Sequence, residues 1–219
     1  MESETASAID CGGFCDPDAE VRATSHGNLP HWHQSYVYVF VTWRIGDALP
    51  RNVIAQLSSE RARWLADHPM PWTVEERQEY GRRFAHRADR LLDKGIGSCI
   101  LRFADAAALV GGALRYFDGE RYLLDSYVVM PNHVHVLVGL SDAAPLATVV
   151  HSWKSFTANK LRPYSTKSKT IWQEGYWDRL VRSSRHLRSC RAYIQSNPVK
   201  AALPVGQYEV YSRFPPGGD

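Results

Sequence analysis

The chain has 219 residues, 44% of them hydrophobic, with a mean hydropathy of −0.35 and a net charge of +3. This length suits one well-buried domain and is short for two independent ones. The longest apolar runs are strand-length, far below the roughly 20 residues of a membrane span, and the acidic start at 1–20 has no secretory signal pattern. We therefore expect a cytoplasmic protein with a flexible leader at 1–25, a single domain at 26–205 and a C-terminal tail at 206–219.

The first half of the chain predicts one strand followed by helices. Residues 36–45 (YVYVFVTWRI) are aromatic and β-branched, which indicates a buried strand. A helix follows Pro50, and another runs from a Thr73 cap to Lys94 within a helical insertion at about 70–97. Residues 104–117 predict a further helix, closed by Asp118-Gly119.

The second half predicts a hairpin, a helix, a strand and a last helix. The strands at 121–130 and 133–140 are joined by Pro131-Asn132, a hairpin pattern. Helical residues at 144–161, a short strand within 171–181 and a helix over 183–196, stopped by Pro198, complete the order. This β-α-β-β-α-β order predicts the α+β class, with a ferredoxin-like antiparallel sheet, a helical insertion and an appended C-terminal helix.

Positive charge is concentrated in one segment. Residues 151–200 hold eleven Lys or Arg and two acids, a net charge of +9, so the remainder sums to −6. Binding of a polyanion explains this asymmetry, because each cation that neutralises a phosphate releases a counterion. Solvated helix faces explain it equally well.

His133 and His135 stand two apart at the start of a predicted strand, which places both rings on one face. They are either metal ligands, which would need a third protein ligand, or half-buried histidines bonded to backbone. Leu137 argues against the zinc hydrolases of the H-x-H-x-D type. The only other spacing of interest is Cys11 to Cys15; without a second pair, it indicates loose thiols rather than zinc.

Tyr193 and Asn197 lie four apart, on one face of the last predicted helix. A tyrosine hydroxyl acts as a covalent nucleophile when its surroundings favour the phenolate, and an amide oxygen is a reasonable ligand for Mg²⁺ or Mn²⁺. The alternative is a tyrosine ring packed on the sheet and an asparagine that caps the helix.

Four motifs change this balance: YVVMPNHVHVLVGL, WKSFTANKL, IWQEGYWDRLVR and YIQSNPVKAAL. In this order and spacing they resemble the REP-associated tyrosine transposases, members of the single-tyrosine HUH transposases (His, hydrophobic residue, His). The pieces GNLPHWH, VTWR, LLDKGIGSC and YFDGERYLL resemble one branch of that family. The likeness extends over about 27–203.

The resemblance implies a role for each matching residue. His133 and His135 match the metal-binding HUH element, Tyr193 matches the catalytic tyrosine, and Asn197 matches the polar metal ligand one turn later. The implied reaction is metal-dependent cleavage and rejoining of single-stranded DNA through a 5′-phosphotyrosine, with Mg²⁺ or Mn²⁺, at hairpins of repetitive extragenic palindromes. The implied form is a monomer with its site in one chain, although a homodimer stays open.

Contacts with DNA are expected from the basic segment and its aromatic residues. We expect Trp153 to be buried and at least one of Trp172, Tyr176 and Trp177 to reach DNA, with Lys154, Arg179 and Arg182 on phosphates. Two other functions stay open: a domesticated hairpin DNA-binding protein without transposition activity, and a metal-dependent hydrolase that uses activated water.

Overall fold

Seven strands and six α-helices make up the described part of the protein. The computed structural model describes residues 13–16, 22–26, 29–69, 72–141, 144–165 and 170–214. In chain order the strands are β1 (Arg22–His26), β2 (Leu29–His33), β3 (Tyr38–Arg44), β4 (Tyr122–Met130), β5 (His133–Leu140), β6 (Trp177–Leu180) and β7 (Glu209–Ser212). The helices are α1 (Arg51–Asp67), α2 (Val74–Tyr80), α3 (His86–Leu92), α4 (Ala104–Arg115), α5 (Leu146–Leu161) and α6 (Ser184–Lys200).

A five-stranded antiparallel sheet forms the centre, in the order β6-β3-β5-β4-β7. The strands β6, β3, β5 and β4 have the ferredoxin-like arrangement, with α4 between β3 and β4 and α5 between β5 and β6 along the chain. The predicted α+β class and β-α-β-β-α-β order are therefore confirmed. β1 and β2 form a separate two-stranded sheet.

The β4–β5 hairpin is fixed by the Pro131-Asn132 turn. The Asn132 side chain donates to the carbonyl oxygens of Leu92 at 3.2 Å and Ile96 at 3.0 Å, which attaches the turn to the end of the insertion. All eight residues of β5 are buried. This burial on both faces explains the near-continuous apolar run, since strands covered on both sides do not alternate with polar residues.

Helices cover both faces of the sheet. α4 and α5 pack on one face through residues such as Val110 and Trp153, and α6 packs on the other through Cys190 and Ile194. The insertion has a small aromatic cluster of its own, formed by Trp64, Trp72, Tyr80 and Phe84. The histidine face of the sheet is the one that carries α6.

Three local predictions differ from the structure. The helix predicted from Thr73 to Lys94 does begin with the expected capping box, but a π-helical segment, Gly81–Ala85, divides it into α2 and α3. α6 runs past Pro198 to Lys200; Pro198 lies in the last turn, where its missing N–H removes a single bond and the Ala201 N–H still reaches the Asn197 carbonyl at 3.0 Å.

The predicted loose tail contains β7, which pairs with β4 at the sheet edge. Glu209 in β7 accepts hydrogen bonds from Tyr127 at 2.6 Å and from Arg115 at 2.9 Å, so a polar triad joins β7 to β4 and α4. At the other end of the chain, Gly13 bridges to Val37 and the Cys15 N–H donates to the Val181 carbonyl. Cys11 and most of the predicted leader lie outside the described residues.

No helix in the described ranges combines the length and the apolar character needed to cross a bilayer.

Candidate active site

The two histidines of β5 lie side by side on one face of the sheet. His133 and His135 are both 0% exposed, and their ring centroids are 4.7 Å apart. Since side chains two apart in a strand point the same way, the predicted shared face follows from the strand geometry alone. The pair therefore lies under the layer formed by α6 and the insertion.

Each imidazole is oriented by a hydrogen bond at Nδ1. His133 Nδ1 lies 2.7 Å from Asn132 Oδ1, and His135 Nδ1 lies 2.7 Å from Thr42 Oγ1. The Asn132 NH₂ group is occupied by two carbonyls, so its Oδ1 accepts and His133 Nδ1 donates. The Nε2 atoms of both histidines are buried without a hydrogen-bond partner, and that of His133 is left with its lone pair free.

Burial keeps both rings neutral. It lowers the pKa of His133 to about 3, and it lowers the pKa of His135 well below the usual value, with the positive charges near it acting in the same direction. A neutral imidazole with a fixed tautomer is the form that binds a metal ion. The alternative expected from sequence, histidines bonded to backbone, does not describe this pair, because its partners are side chains.

Tyr193 lies beside the histidines in the same chain. Its ring centroid is 5.2 Å from that of His135 and 5.9 Å from that of Phe40, with both contacts edge-on. α6 is held in this position by Leu187, Cys190 and Ile194 in the core cluster. The Tyr193 side chain is half-buried, unlike the fully buried histidines beside it.

Asn197 provides the third isolated polar atom of the site. The residue is 2% exposed, and its Oδ1 is buried without a hydrogen-bond partner. Its position one turn after Tyr193 places both side chains on one face of α6. Across the described ranges, no three His, Cys, Asp or Glu side chains converge on one point, so a metal held here would take an amide oxygen beside two imidazoles.

Two carboxylates that the sequence analysis did not single out face this site from α3 and the turn after it. Asp93 Oδ1 lies 3.8 Å from His133 Nε2. Burial raises the pKa of Asp89 to about 7, against the effect of Arg179, and burial also raises the pKa of Asp93. Their spacing of four residues indicates one helix face, but nothing in the sequence relates the insertion to the histidines.

The Tyr193 hydroxyl is protonated in this environment. Burial raises its pKa most, and the charges of Asp89 and Asp93 raise it further, whereas Arg179 and a hydrogen bond from Asn197 act in the opposite direction. A phenol of this kind attacks a phosphate only when the site supplies additional positive charge or a proton acceptor.

The predicted DNA-contacting aromatics divide into buried and accessible ones. Trp153 is buried, as expected, and stacks on Trp43. Trp172 and Tyr176 also lie in the main core, where Trp172 Nε1 donates to Thr157 Oγ1 at 2.9 Å. Both side chains are buried, and the expectation that at least one of Trp172, Tyr176 and Trp177 reaches DNA stays a prediction. Trp177, on edge strand β6, is half-buried.

The three residues predicted to contact phosphates, Lys154, Arg179 and Arg182, differ in their contacts with the rest of the protein. Lys154 Nζ donates to the carbonyl oxygens of Gln173 at 2.7 Å and Gly175 at 2.8 Å. It therefore holds the loop before β6, and burial lowers its pKa to about 8. Its expected contact with a phosphate stays a prediction. Arg179 lies 4.9 Å from the Phe40 ring centroid, next to Tyr193, and Arg182 is exposed just before α6.

The comparisons with known proteins identify transposases as the proteins that this chain resembles. Residues 115–197 match the family model described as "Transposase IS200 like"; this segment, less than half of the chain, carries His133, His135, Tyr193 and Asn197. The resemblance to tyrosine transposases predicted from the motifs is borne out, and a transposase-like function is what the match supports. No curated protein matches the chain.

Two solved structures are similar at low identity. One is a REP-associated tyrosine transposase bound to a REP hairpin, with 14% identity and a TM-score of 0.40 over 80% of this chain and 74% of that one. The other is a crystal structure of a proposed transposase from Deinococcus radiodurans, with 16% identity and a TM-score of 0.31 over 74% of this chain and 90% of that one.

Proposed function

We propose that the protein is a single-tyrosine HUH transposase that cuts and rejoins single-stranded DNA, with Tyr193 as its nucleophile. The observation that carries the proposal is the position of the Tyr193 ring, 5.2 Å from His135 within one chain. The same chain supplies both elements, which favours a monomer that acts in cis. The substrate we propose is a DNA hairpin of the repetitive extragenic palindrome class, as the motif resemblance implies.

The residues present fit a divalent cation. His133 Nε2, His135 Nε2 and Asn197 Oδ1 are three buried polar atoms without hydrogen-bond partners, and isolated buried polar groups are unfavourable unless something binds them. These three would hold a Mg²⁺ or Mn²⁺ ion, whose mixed nitrogen and oxygen ligands are ordinary for such metals. When bound, the cation supplies charge that polarises a phosphoryl oxygen and stabilises the transition state.

The chain's own groups account for the covalent steps. The Tyr193 oxygen attacks the phosphorus of a phosphodiester, the new O–P bond forms, and the bond to the 3′-oxygen breaks, which leaves a 5′-phosphotyrosine and a free 3′-hydroxyl. The charge of Asp93 acts on Tyr193, and this carboxylate would accept the phenolic proton while the departing 3′-oxygen takes up a proton from water. A 3′-hydroxyl then attacks the phosphotyrosine, restores a phosphodiester and returns the phenol, so no ATP is consumed.

Positive charge on the tyrosine helix suits a DNA strand. Arg182, Arg185 and Arg188 are exposed before and along the first turns of α6, and Lys200 lies with its Nζ 5.7 Å from the Tyr193 ring centroid. Each cation that meets a phosphate adds affinity that falls with salt.

The test is incubation of the full-length protein with end-labelled hairpin DNA and Mn²⁺, followed by denaturing electrophoresis. The proposal expects a protein–DNA adduct that is absent in Tyr193→Phe and in EDTA. Tyr116→Phe, which alters an exposed tyrosine remote from the histidines, is the matched control and keeps the adduct. Cleavage that survives Tyr193→Phe would indicate a hydrolase, and hairpin binding without any cleavage would indicate the domesticated binding protein.

A further inference from the structure

A cavity lies between the helical insertion and the sheet, separate from the residues assigned to the proposed chemistry. Its volume is about 290 Å³, and its walls come from β3, α1, the Phe84–Ala88 region and the loop that leads into β6. This is close to the lower end of small-molecule sites. Its lining combines cations with aromatic rings, among them Arg44, Arg61, Phe84 and Trp177.

The cavity holds two guanidinium groups with unused donors. Arg61 is only 9% exposed, and its Nε has no hydrogen-bond partner; Arg44 Nη1 is likewise buried without one. Burial also lowers the pKa of Arg44, to about 10, which still leaves it charged at neutral pH. Buried cationic donors without acceptors are unfavourable in the free protein, so an anion bound beside these side chains would offset part of that cost.

Other charged side chains lie nearby, among them Asp178, whose charge acts on Tyr80 together with that of Arg61. Lys154 approaches the same loop but is occupied by two carbonyl oxygens. Glu174 lines the cavity as well; its side chain is exposed, and its charge acts on Lys154. An anion is the ligand that two arginines favour, and guanidinium groups bind the oxygens of a phosphate well.

The aromatic wall indicates what accompanies the phosphate. Trp177 lines the cavity with Arg61 over its ring at 5.8 Å, and it packs against the aromatic cluster that contains Phe84, another lining residue. Arginine and tryptophan together are the surface on which unpaired bases stack.

The cavity adjoins the candidate active site on the same face of the sheet. Arg44 is the cross-strand partner of His133, and Thr42, which also lines the cavity, is the partner of His135. Directly opposed residues of an antiparallel pair point to the same side, a few ångströms apart. The cavity and the histidine pair are therefore neighbours on one face of the sheet.

We propose that the cavity binds one unpaired nucleotide of the DNA strand next to the cleaved phosphodiester, with its phosphate on Arg44 and Arg61 and its base against Trp177. The assignment rests on the proposed function for the nature of the strand. It makes the helical insertion part of the substrate-binding surface.

The test compares single-stranded DNA binding by full-length Arg61→Met and Arg44→Met with that by Arg63→Met, an exposed residue of the same helix. Binding is measured by fluorescence anisotropy in EDTA as salt is raised. We expect each cavity variant to lose about tenfold or more in affinity and about 0.7 in the slope of log affinity against log salt, while Arg63→Met stays within about twofold. Equal affinity in all three variants and the wild type would overturn the proposal.

Two further measurements test whether a loss of affinity comes from misfolding and whether the cavity binds a free ligand instead of a DNA strand. The melting temperature of Arg61→Met should equal or exceed that of the wild type, because the lost group has an unsatisfied donor. Inorganic phosphate and deoxythymidine 5′-monophosphate should bind about a hundredfold more weakly than the oligonucleotide, since they lack its other phosphate contacts. Tight mononucleotide binding that needs Arg61, with unchanged oligonucleotide affinity, would contradict the strand assignment. Binding is measured without metal and is repeated in Tyr193→Phe. The binding result therefore does not depend on whether the protein cuts DNA.

Discussion

Thr42 Oγ1 lies 2.7 Å from Nδ1 of His135, across the β3–β5 pair. This hydrogen bond fixes the orientation of the imidazole at Nδ1, so that the other ring nitrogen, Nε2, faces the site.

Loss of that hydrogen bond should weaken metal binding without removing a ligand. In Thr42→Val the ring keeps its space but loses its partner, and groups in this position typically change metal affinity by about 10–100-fold. Titration of Mn²⁺ by calorimetry measures the effect, with Thr148→Val on the exposed face of α5 as the control. Unchanged Mn²⁺ affinity in Thr42→Val would show that the hydrogen bond to His135 does not contribute to metal binding.

Asp89 should make the metal-free protein less stable as pH rises. Its pKa is raised from 3.8 to about 7 by burial, so the folded state holds a proton that the unfolded state releases; stability is greatest below the unfolded value and is lost as pH rises towards 7. The full shift corresponds to at most about 4 kcal/mol. The free energy of unfolding is measured by urea unfolding in EDTA from pH 4 to 8. As pH rises, that of Asp89→Asn should increase relative to that of the wild type. Parallel curves for the two proteins would show that Asp89 ionises freely.

The Arg191–Asp125 pair should be needed to hold α6 on the sheet. Asp125 is 0% exposed, and Arg191 donates to both of its oxygens, Nε to Oδ1 at 3.0 Å and Nη2 to Oδ2 at 2.6 Å. Arg191→Leu leaves a buried carboxylate unpaired, which costs about 3–5 kcal/mol. Asp125→Asn in the same chain should recover part of this loss in urea unfolding. Arg188→Leu, exposed on the same helix, should change stability by less than about 0.5 kcal/mol; equal effects at the two arginines would contradict the assignment.

Adjacent glycines in α4 should respond in opposite directions. A Cβ on Gly111 would meet Glu209 Oε1 and lie 2.6 Å from the Tyr127 hydroxyl, whereas a Cβ on Gly112 meets nothing within 4 Å. Gly111→Ala should therefore displace β7 and destabilise by about 1–3 kcal/mol, and Gly112→Ala should stabilise by up to about 1 kcal/mol. Thermal unfolding of the two variants provides the comparison, and similar shifts for both would argue against a fixed β7 contact.

The central sheet was predictable from local periodicity, whereas the meeting of Tyr193 with the histidines was implied only by the motif resemblance. Alternation in β5 places His133 and His135 on one face, and the four-residue spacing of Tyr193 and Asn197 does the same on α6. The hairpin turn and the ferredoxin-like order then leave few ways to arrange the strands.

The rest depends on tertiary contacts that no local pattern contains. β7 is four residues long and is held by Glu209, whose partners lie far away in the sequence. Trp172 and Lys154 are residue types that are common on DNA-binding surfaces. In the structure Trp172 packs in the core, and Lys154 donates hydrogen bonds to the loop before β6. The position of Asp93 beside His133 follows from how the insertion folds back, which its helical pattern does not reveal.

The most direct test of the central claim is the identity of the residue joined to DNA. The adduct formed with hairpin DNA and Mn²⁺ is trimmed with nuclease, digested with trypsin and analysed by mass spectrometry. Cleavage after Arg191 and Lys200 yields the peptide AYIQSNPVK, whose single tyrosine is Tyr193. The account predicts a nucleotide 5′-phosphate on that tyrosine; a nucleotide on any other residue, or cut DNA with this peptide never modified, would contradict it.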